Sequence, residues 1–416
     1  MTKVRIVGGG LTGILAAFEA HRLGCRDIEL HERFDRLGGV ALPREAHGLE
    51  LREGCIYFGP RTDPIRKLLE WHGLAFEEFE NRFGSASLAP GGTLRFTEDF
   101  GGPAIDCDQI ALTQPTGATL ADRLRAYPPG VETALARYCR WHLGTWLDEV
   151  HESAAIPLAI NRVYPVGADL EGLAEAKRRS PLCDDLYAIP RHLWGRTNNL
   201  TAALPRDGFP AFFQDCRRVL ERLGVQIHER ALVSPRQAVA AHAPGEVLVW
   251  AANPTPLFKV MDVPTPKLLP KSFALYHFKA RWTGPKPFYV QNFTAQGAVF
   301  RAYVYETRGE TLVTAECVRE AADPDLRAEL VRLAAGFGDL EVGEGLGASV
   351  QPRWIYHSMD AMRRLKTLHA ALGRQMGAGF VAGAWEPYAK GEKFEIVSAS
   401  LARALAAEAG GAVAAA

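Results

Sequence analysis

Val4-Arg5-Ile6-Val7-Gly8-Gly9-Gly10-Leu11-Thr12-Gly13 opens the chain, and Ile28-Glu29-Leu30-His31-Glu32 follows after an intervening stretch. The β-branched run before the glycines reads as a strand. Leu15, Phe18, Glu19, Arg22 and Leu23 recur at helical spacing, so the intervening stretch reads as a helix. A strand, a G-x-G-x-x-G turn, a helix and a second strand ending in an acid make up a βαβ dinucleotide unit. In it, Gly8 permits the tight turn, Gly10 lets backbone N–H groups approach a diphosphate, and Gly13 lets the helix pack close to the sheet. The diphosphate would meet the backbone of Leu11 and Thr12, at the positive end of the helix. Glu32 falls where a carboxylate accepts the adenosine ribose hydroxyls.

Both NAD and FAD carry the ADP half that such a unit reads. Three further features point to FAD. The glycine turn lies almost at residue 1, which argues against a preceding catalytic domain. Arg33-Phe34-Asp35-Arg36-Leu37-Gly38-Gly39-Val40 supplies a second flexible backbone segment, suited to the far end of a long cofactor. Phe380-Val381-Ala382-Gly383-Ala384-Trp385 reads as a strand entering a glycine turn, ahead of a helix expected from about Glu395.

On these residues the chain resembles the FAD-dependent amine oxidase-like superfamily, which includes protoporphyrinogen oxidases, phytoene desaturases and UDP-galactopyranose mutases. The resemblance extends to Leu204-Pro205-Arg206-Asp207-Gly208-Phe209, to Ala231-Leu232-Val233, and to Val247-Leu248-Val249-Trp250-Ala251-Ala252. It implies a contact between Val233 and the adenine. It also implies that Gly383 and the helix holding Phe394, Glu395 and Ile396 face the flavin, with negative charge on the reduced ring stabilised there. Two departures stand out. Ala384 replaces an Asp that usually contacts the cofactor, and Val40 replaces an Arg or Lys.

The remaining residues fit an ordinary enzyme. The 416 residues are 47% hydrophobic and 23% charged, enough for two or three domains' worth of core. Lys and Arg number 48 against 48 acids, so no basic field calls for nucleic acid. No apolar run approaches a membrane span, and a strand starting at Val4 leaves no room for a signal peptide. Seven scattered cysteines without C-x-x-C read as reduced thiols of a cytoplasmic protein, not as a zinc site. No metal-binding pattern is expected.

The fold expected is α/β: a Rossmann-like FAD-binding domain, parallel sheet with helices, plus a mixed α+β substrate domain with an antiparallel sheet. Residues 1–75, 198–255 and 350–416 would form the first, and 76–197 and 256–349 the second. Within the second, Leu120 to Leu124 and Glu132 to Leu147 read as helices, the latter with Tyr138, Trp141, His142 and Trp146 as candidate pocket residues. Phe273–Phe278, Phe288–Val290, Val299–Tyr305 and Leu312–Cys317 read as strands. This insert resembles the UDP-galactopyranose mutase-like group. The resemblance implies that Arg301 clamps a sugar-nucleotide phosphate, as a planar guanidinium can, whereas an ordinary ion pair with a structural carboxylate is the plainer reading. Glu53-Gly54-Cys55-Ile56-Tyr57-Phe58 lacks both histidines of the G-H-I-F-H-like run found in true mutases.

Two mechanisms follow: flavin-dependent oxidation of a small molecule, or a redox-neutral mutase reaction that needs cations such as Arg301, Arg196 or Arg353. Tyr356 is a candidate neighbour of the flavin. A scaffold that has lost catalysis and an NAD(P)-dependent dehydrogenase are the alternatives from other classes.

Overall fold

The computed structural model describes residues 2–54, 56–98, 102–110, 112–190, 193 and 201–414; the side chains of 352–354 and 409–414 lie outside that description. Cys55, Arg196 and the side chain of Arg353 therefore fall outside the described residues.

The opening unit forms as its sequence dictates. Strand β1 (Lys3–Val7), helix α1 (Leu11–Arg22) and strand β2 (Asp27–His31) follow one another. The chain returns twice to complete a five-stranded parallel sheet with β3 (Gln226–His228), β4 (Glu246–Trp250) and β5 (Phe380–Ala382), in the order β3-β2-β1-β4-β5. Helices cover both faces, as a buried parallel sheet requires. On one face, Val4, Ile6 and Leu30 pack with Ile14 and Phe18 of α1, with Phe213, and with Val397 and Leu401 of helix α2 (Lys390–Ala414). On the other, Val7, Leu248 and Trp250 pack against Leu365, Leu368 and Leu372 of the Met359–Met376 helix. The strand order reverses beside β1, so the crevice at the carboxyl ends of β1 and β4 is the natural ligand position.

A second, seven-stranded sheet runs in the order Leu340–Tyr356, Leu269–Trp282, Glu310–Cys317, Val299–Thr307, Phe288–Asn292, Arg82–Leu88, Leu94–Glu98. All its pairings are antiparallel except that between Phe288–Asn292 and Arg82–Leu88. The Asp323–Ala334 helix covers one face through Leu326, Leu330 and Leu333. The strand Leu340–Tyr356 crosses the boundary expected at 349/350 without a break.

The expected helix Glu132–Leu147 is instead Pro129–Leu143: Gly144 stops it with φ 68°, a left-handed cap that suits glycine. Trp146 then lies outside the helix and exposed, while Tyr138 and His142 enter the core of the helical insert. The six described cysteines are buried free thiols. No helix among the described residues is long and apolar enough to cross a membrane.

Candidate functional site

The first part of the site is the glycine turn. Gly8 has φ 107°, and a Cβ there would stand 2.9 Å from the Ala252 nitrogen, so β1 and β4 can meet only around a glycine. A Cβ on Gly13 would fall 1.9 Å from the Gly8 carbonyl oxygen, which is the close helix–strand approach expected of that position. Gly10 differs: a Cβ there would meet nothing within 4 Å. Gly10 also caps α1 without any side-chain hydrogen bond. The first-turn N–H groups, at Leu11 to Gly13, have no intrahelical partner by helix geometry, and they carry the positive end of the helix.

Glu32 is buried at the end of β2 and braces this turn. One carboxylate oxygen accepts from the Gly9 N–H at 2.7 Å and the other from the Phe34 N–H at 2.8 Å. Each oxygen keeps a lone pair for another donor. Gly9, which the motif treats as a free position, is constrained like Gly8 and unlike Gly10: a Cβ would lie 2.6 Å from Leu37 and 2.9 Å from Glu32. Its signal is visible only once Glu32 and Leu37 are seen packed above it.

Gly38 and Gly39 lie against this same turn, not at a far end. The Gly38 N–H donates to the Gly9 carbonyl at 2.8 Å, and a Cβ on Gly39 would lie 3.2 Å from the Gly10 Cα. Val40, in the following 3-10 turn, is fully exposed, as is most of Arg33, whose guanidinium lies 4.4 Å over the Phe34 ring. Val233 is half-buried against the cluster of Val7 and Trp250. Gly383 seals β5 to β4: its N–H donates to the Trp250 carbonyl at 2.9 Å, and a Cβ would strike that same oxygen. Ala384 is buried with φ 51°.

The C-terminal helix corrects one expectation. It begins at Lys390, not near Glu395. The N–H groups of Phe394, Glu395 and Ile396 therefore lie inside the helical ladder, and those of Lys390 to Glu392 are the ones left free by helix geometry. Phe394 is buried in the core, whereas Glu395 and Ile396 are exposed. Lys390 and Lys393 share a small cavity with Leu11, Thr12 and Leu15, so the N-terminal ends of α1 and α2 converge. The Lys390 ammonium donates to the Tyr57 carbonyl and lies 5.1 Å from the Phe58 ring centre. Burial pulls its pKa down to about 8, against the opposing pull of Asp63. Lys390 went unremarked in the sequence because no motif contains it.

The second part is the face of the large sheet turned away from the Asp323–Ala334 helix. Cross-strand register aligns Gln291, Arg301 and Glu316 in one row and Tyr289, Tyr303, Thr314 and His277 in the next. Arg301 donates through Nε to Gln291 at 3.0 Å, and its guanidinium lies 3.7 Å from fully buried Glu316. Gln291 passes the contact to the Tyr138 hydroxyl at 3.0 Å. His277 shares a 2.9 Å hydrogen bond with Thr314, and burial lowers its pKa to about 4. Farther along this face opens a cleft of about 690 Å³, bordered by Glu50, Arg52, Phe79, Arg206 and Lys286.

Tyr356 lies behind the Arg301–Gln291–Tyr138 group, within range of the Arg301 charge. It is buried in the core of the helical insert, where its hydroxyl meets His142 Nε2 at 2.9 Å and burial pushes its pKa well above the usual value.

Residues 6–70 match the family described as NAD(P)-binding Rossmann-like domain. No curated protein matches the sequence. Among solved structures, a reduced UDP-galactopyranose mutase superposes with a TM-score of 0.66 over 98% of this chain and 96% of its own, at 13% identity. A triple mutant of putrescine oxidase superposes with a TM-score of 0.56 over 100% and 99%, at 14% identity. A protein assigned as a protoporphyrinogen oxidase from Exiguobacterium sp. 255-15 gives 0.54 over 96% and 98%, at 14% identity. At such identities the similarity speaks for fold alone: residues 6–70 form a Rossmann-like domain, and the chain as a whole shares its overall fold with these three proteins.

Proposed function

We propose that the chain is an FAD-dependent oxidoreductase acting on a small molecule held between the crevice and the polar face of the large sheet. The observation that carries this reading is the glycine turn, where open space at Gly10 stands before an uncapped helix end, with Glu32 fixed beside it. Lys390, at a second helix end that converges on the start of α1, adds a cation beside that helix end and is what favours FAD over NAD in this reading. When bound, the flavin supplies the redox chemistry. The residues of the chain do the rest: the amides of Leu11 to Gly13 and Lys390 neutralise the diphosphate, Glu32 accepts the ribose hydroxyls, and the sheet face orients the substrate.

A redox-neutral mutase reaction on a sugar nucleotide is the second reading, supported by Arg301 on that face. Pairing with buried Glu316 already offsets its charge, which favours the redox reading.

Gly10→Val separates cofactor binding from folding. A Cβ at this position meets no protein atom within 4 Å, so the variant should fold with a Tm within a few degrees of the parent, yet purify without flavin. Full flavin content in that variant would contradict the assignment. Arg301→Ala tests the second reading: if Arg301 clamps a phosphate, UDP affinity should fall by about 1.5–3 kcal/mol, and unchanged affinity removes it from that role.

A further inference from the structure

Glu29, His31 and His228 come together from distant parts of the chain on one face of the parallel sheet, at its β2–β3 edge. Glu29 and His31 are two residues apart on β2, so both side chains point to one face. His228 ends β3, and strand register sets it directly opposite His31, as it sets Gln226 opposite Glu29. The two imidazoles lie with ring centres 4.6 Å apart and planes inclined by 20°. His31 Nε2 stands 3.4 Å from a Glu29 oxygen, and one ligand atom from each of the three residues lies within 4.8 Å of the others.

We propose that these three residues form a binding site for a divalent zinc-class ion, with a water in the fourth position. Two imidazoles and one carboxylate are a known ligand set for a tetrahedral ion, with Zn–N and Zn–O distances of roughly 2.0–2.2 Å. The 3.4 Å spacing already equals a tetrahedral edge at such distances, and half-buried His228, stacked on His31, needs to turn only the rest of the way. Lys3 donates to the other carboxylate oxygen at 2.6 Å, holding it from behind, while Arg5 Nε lies 3.7 Å from the oxygen that faces His31. Such outer contacts orient a metal-binding carboxylate. Lys3 and Arg5 are balanced by Glu29 and by Glu246, 2.9 Å from Arg5. The ion's own charge would thus go uncompensated, which limits affinity to the order of micromolar. The pattern escapes a sequence scan because the second histidine is supplied by an adjacent strand.

The ion would pin β3, only three residues long, to β2. The same junction carries the Glu32 N–H, which donates to the His228 carbonyl at 2.9 Å. The site stands whether or not the crevice binds FAD.

The test is calorimetric titration of the chelator-treated full-length protein with zinc chloride, with magnesium chloride as the oxygen-preferring control. One equivalent of zinc should bind and magnesium should not. His228→Ala, at a half-buried position on the last residue of β3, should weaken zinc binding by about 100-fold, with an unchanged circular dichroism spectrum; Glu29→Gln should weaken it about tenfold. His47→Ala, at an exposed histidine elsewhere, should leave it intact. Absence of zinc binding by the parent protein, or binding that survives His228→Ala, would overturn the proposal.

Discussion

Gly10 and Gly13 lie three residues apart and serve opposite purposes. Gly13 is a packing glycine: its hydrogen touches the Gly8 carbonyl, so any side chain would separate α1 from β1. Gly13→Val should therefore yield little folded protein, seen as loss of the cooperative thermal transition, whereas Gly10→Val keeps that transition. A Gly13→Val protein as stable as the parent would show that α1 does not pack as described. The motif made Gly8, Gly10 and Gly13 legible because their spacing repeats a local backbone need. Gly9 and Lys390 were not legible, because their constraints come from side chains distant in sequence. Arg301 was legible as an oddity in a strand, but its partner Glu316 emerged only from register with the next strand.

At the scale of elements, the strands were read well because each pattern is local. Val299–Thr307 alternates side chains between the Asp323–Ala334 helix and the polar face. Helix α2 starts five residues ahead of the expected Glu395 and takes Gly391 into its first turn. In the first helical turn glycine costs little, since the N–H groups there have no intrahelical partner to lose. The early start places Lys390 at the convergence of α1 and α2. A buried ammonium is a burden to the fold on its own, and burial draws its pKa to about 8. Lys390→Met keeps the length and removes the charge. Without cofactor the variant should be at least as thermally stable as the parent, while its FAD dissociation constant rises about tenfold or more. An unchanged dissociation constant would remove Lys390 from the site.

For the whole molecule, acid stability is governed by histidines folded in their neutral form. Burial holds His277 at about 4 and His142 at about 3, both from an ordinary 6.5, and both are fully enclosed. A group whose pKa is depressed by folding adds stability above its unfolded pKa, and that stability is lost as pH falls through the window down to the folded value. From pH 7 to 4 the loss for His277 alone is about 3 kcal/mol. Tm should fall steeply across that interval, and His277→Gln should flatten the slope; an identical slope in the variant would mean His277 titrates outside the core. The sequence showed only dispersed histidines, because enclosure depends on how the large sheet and the helical insert close together.

The central claim is that the crevice at β1 and β4 holds FAD. The most direct measurement is the visible absorption spectrum of the purified protein, before and after dithionite, with the released chromophore identified by mass. The account predicts a flavin spectrum that bleaches on reduction and a released mass equal to FAD. A colourless protein that takes up no FAD on reconstitution would contradict it.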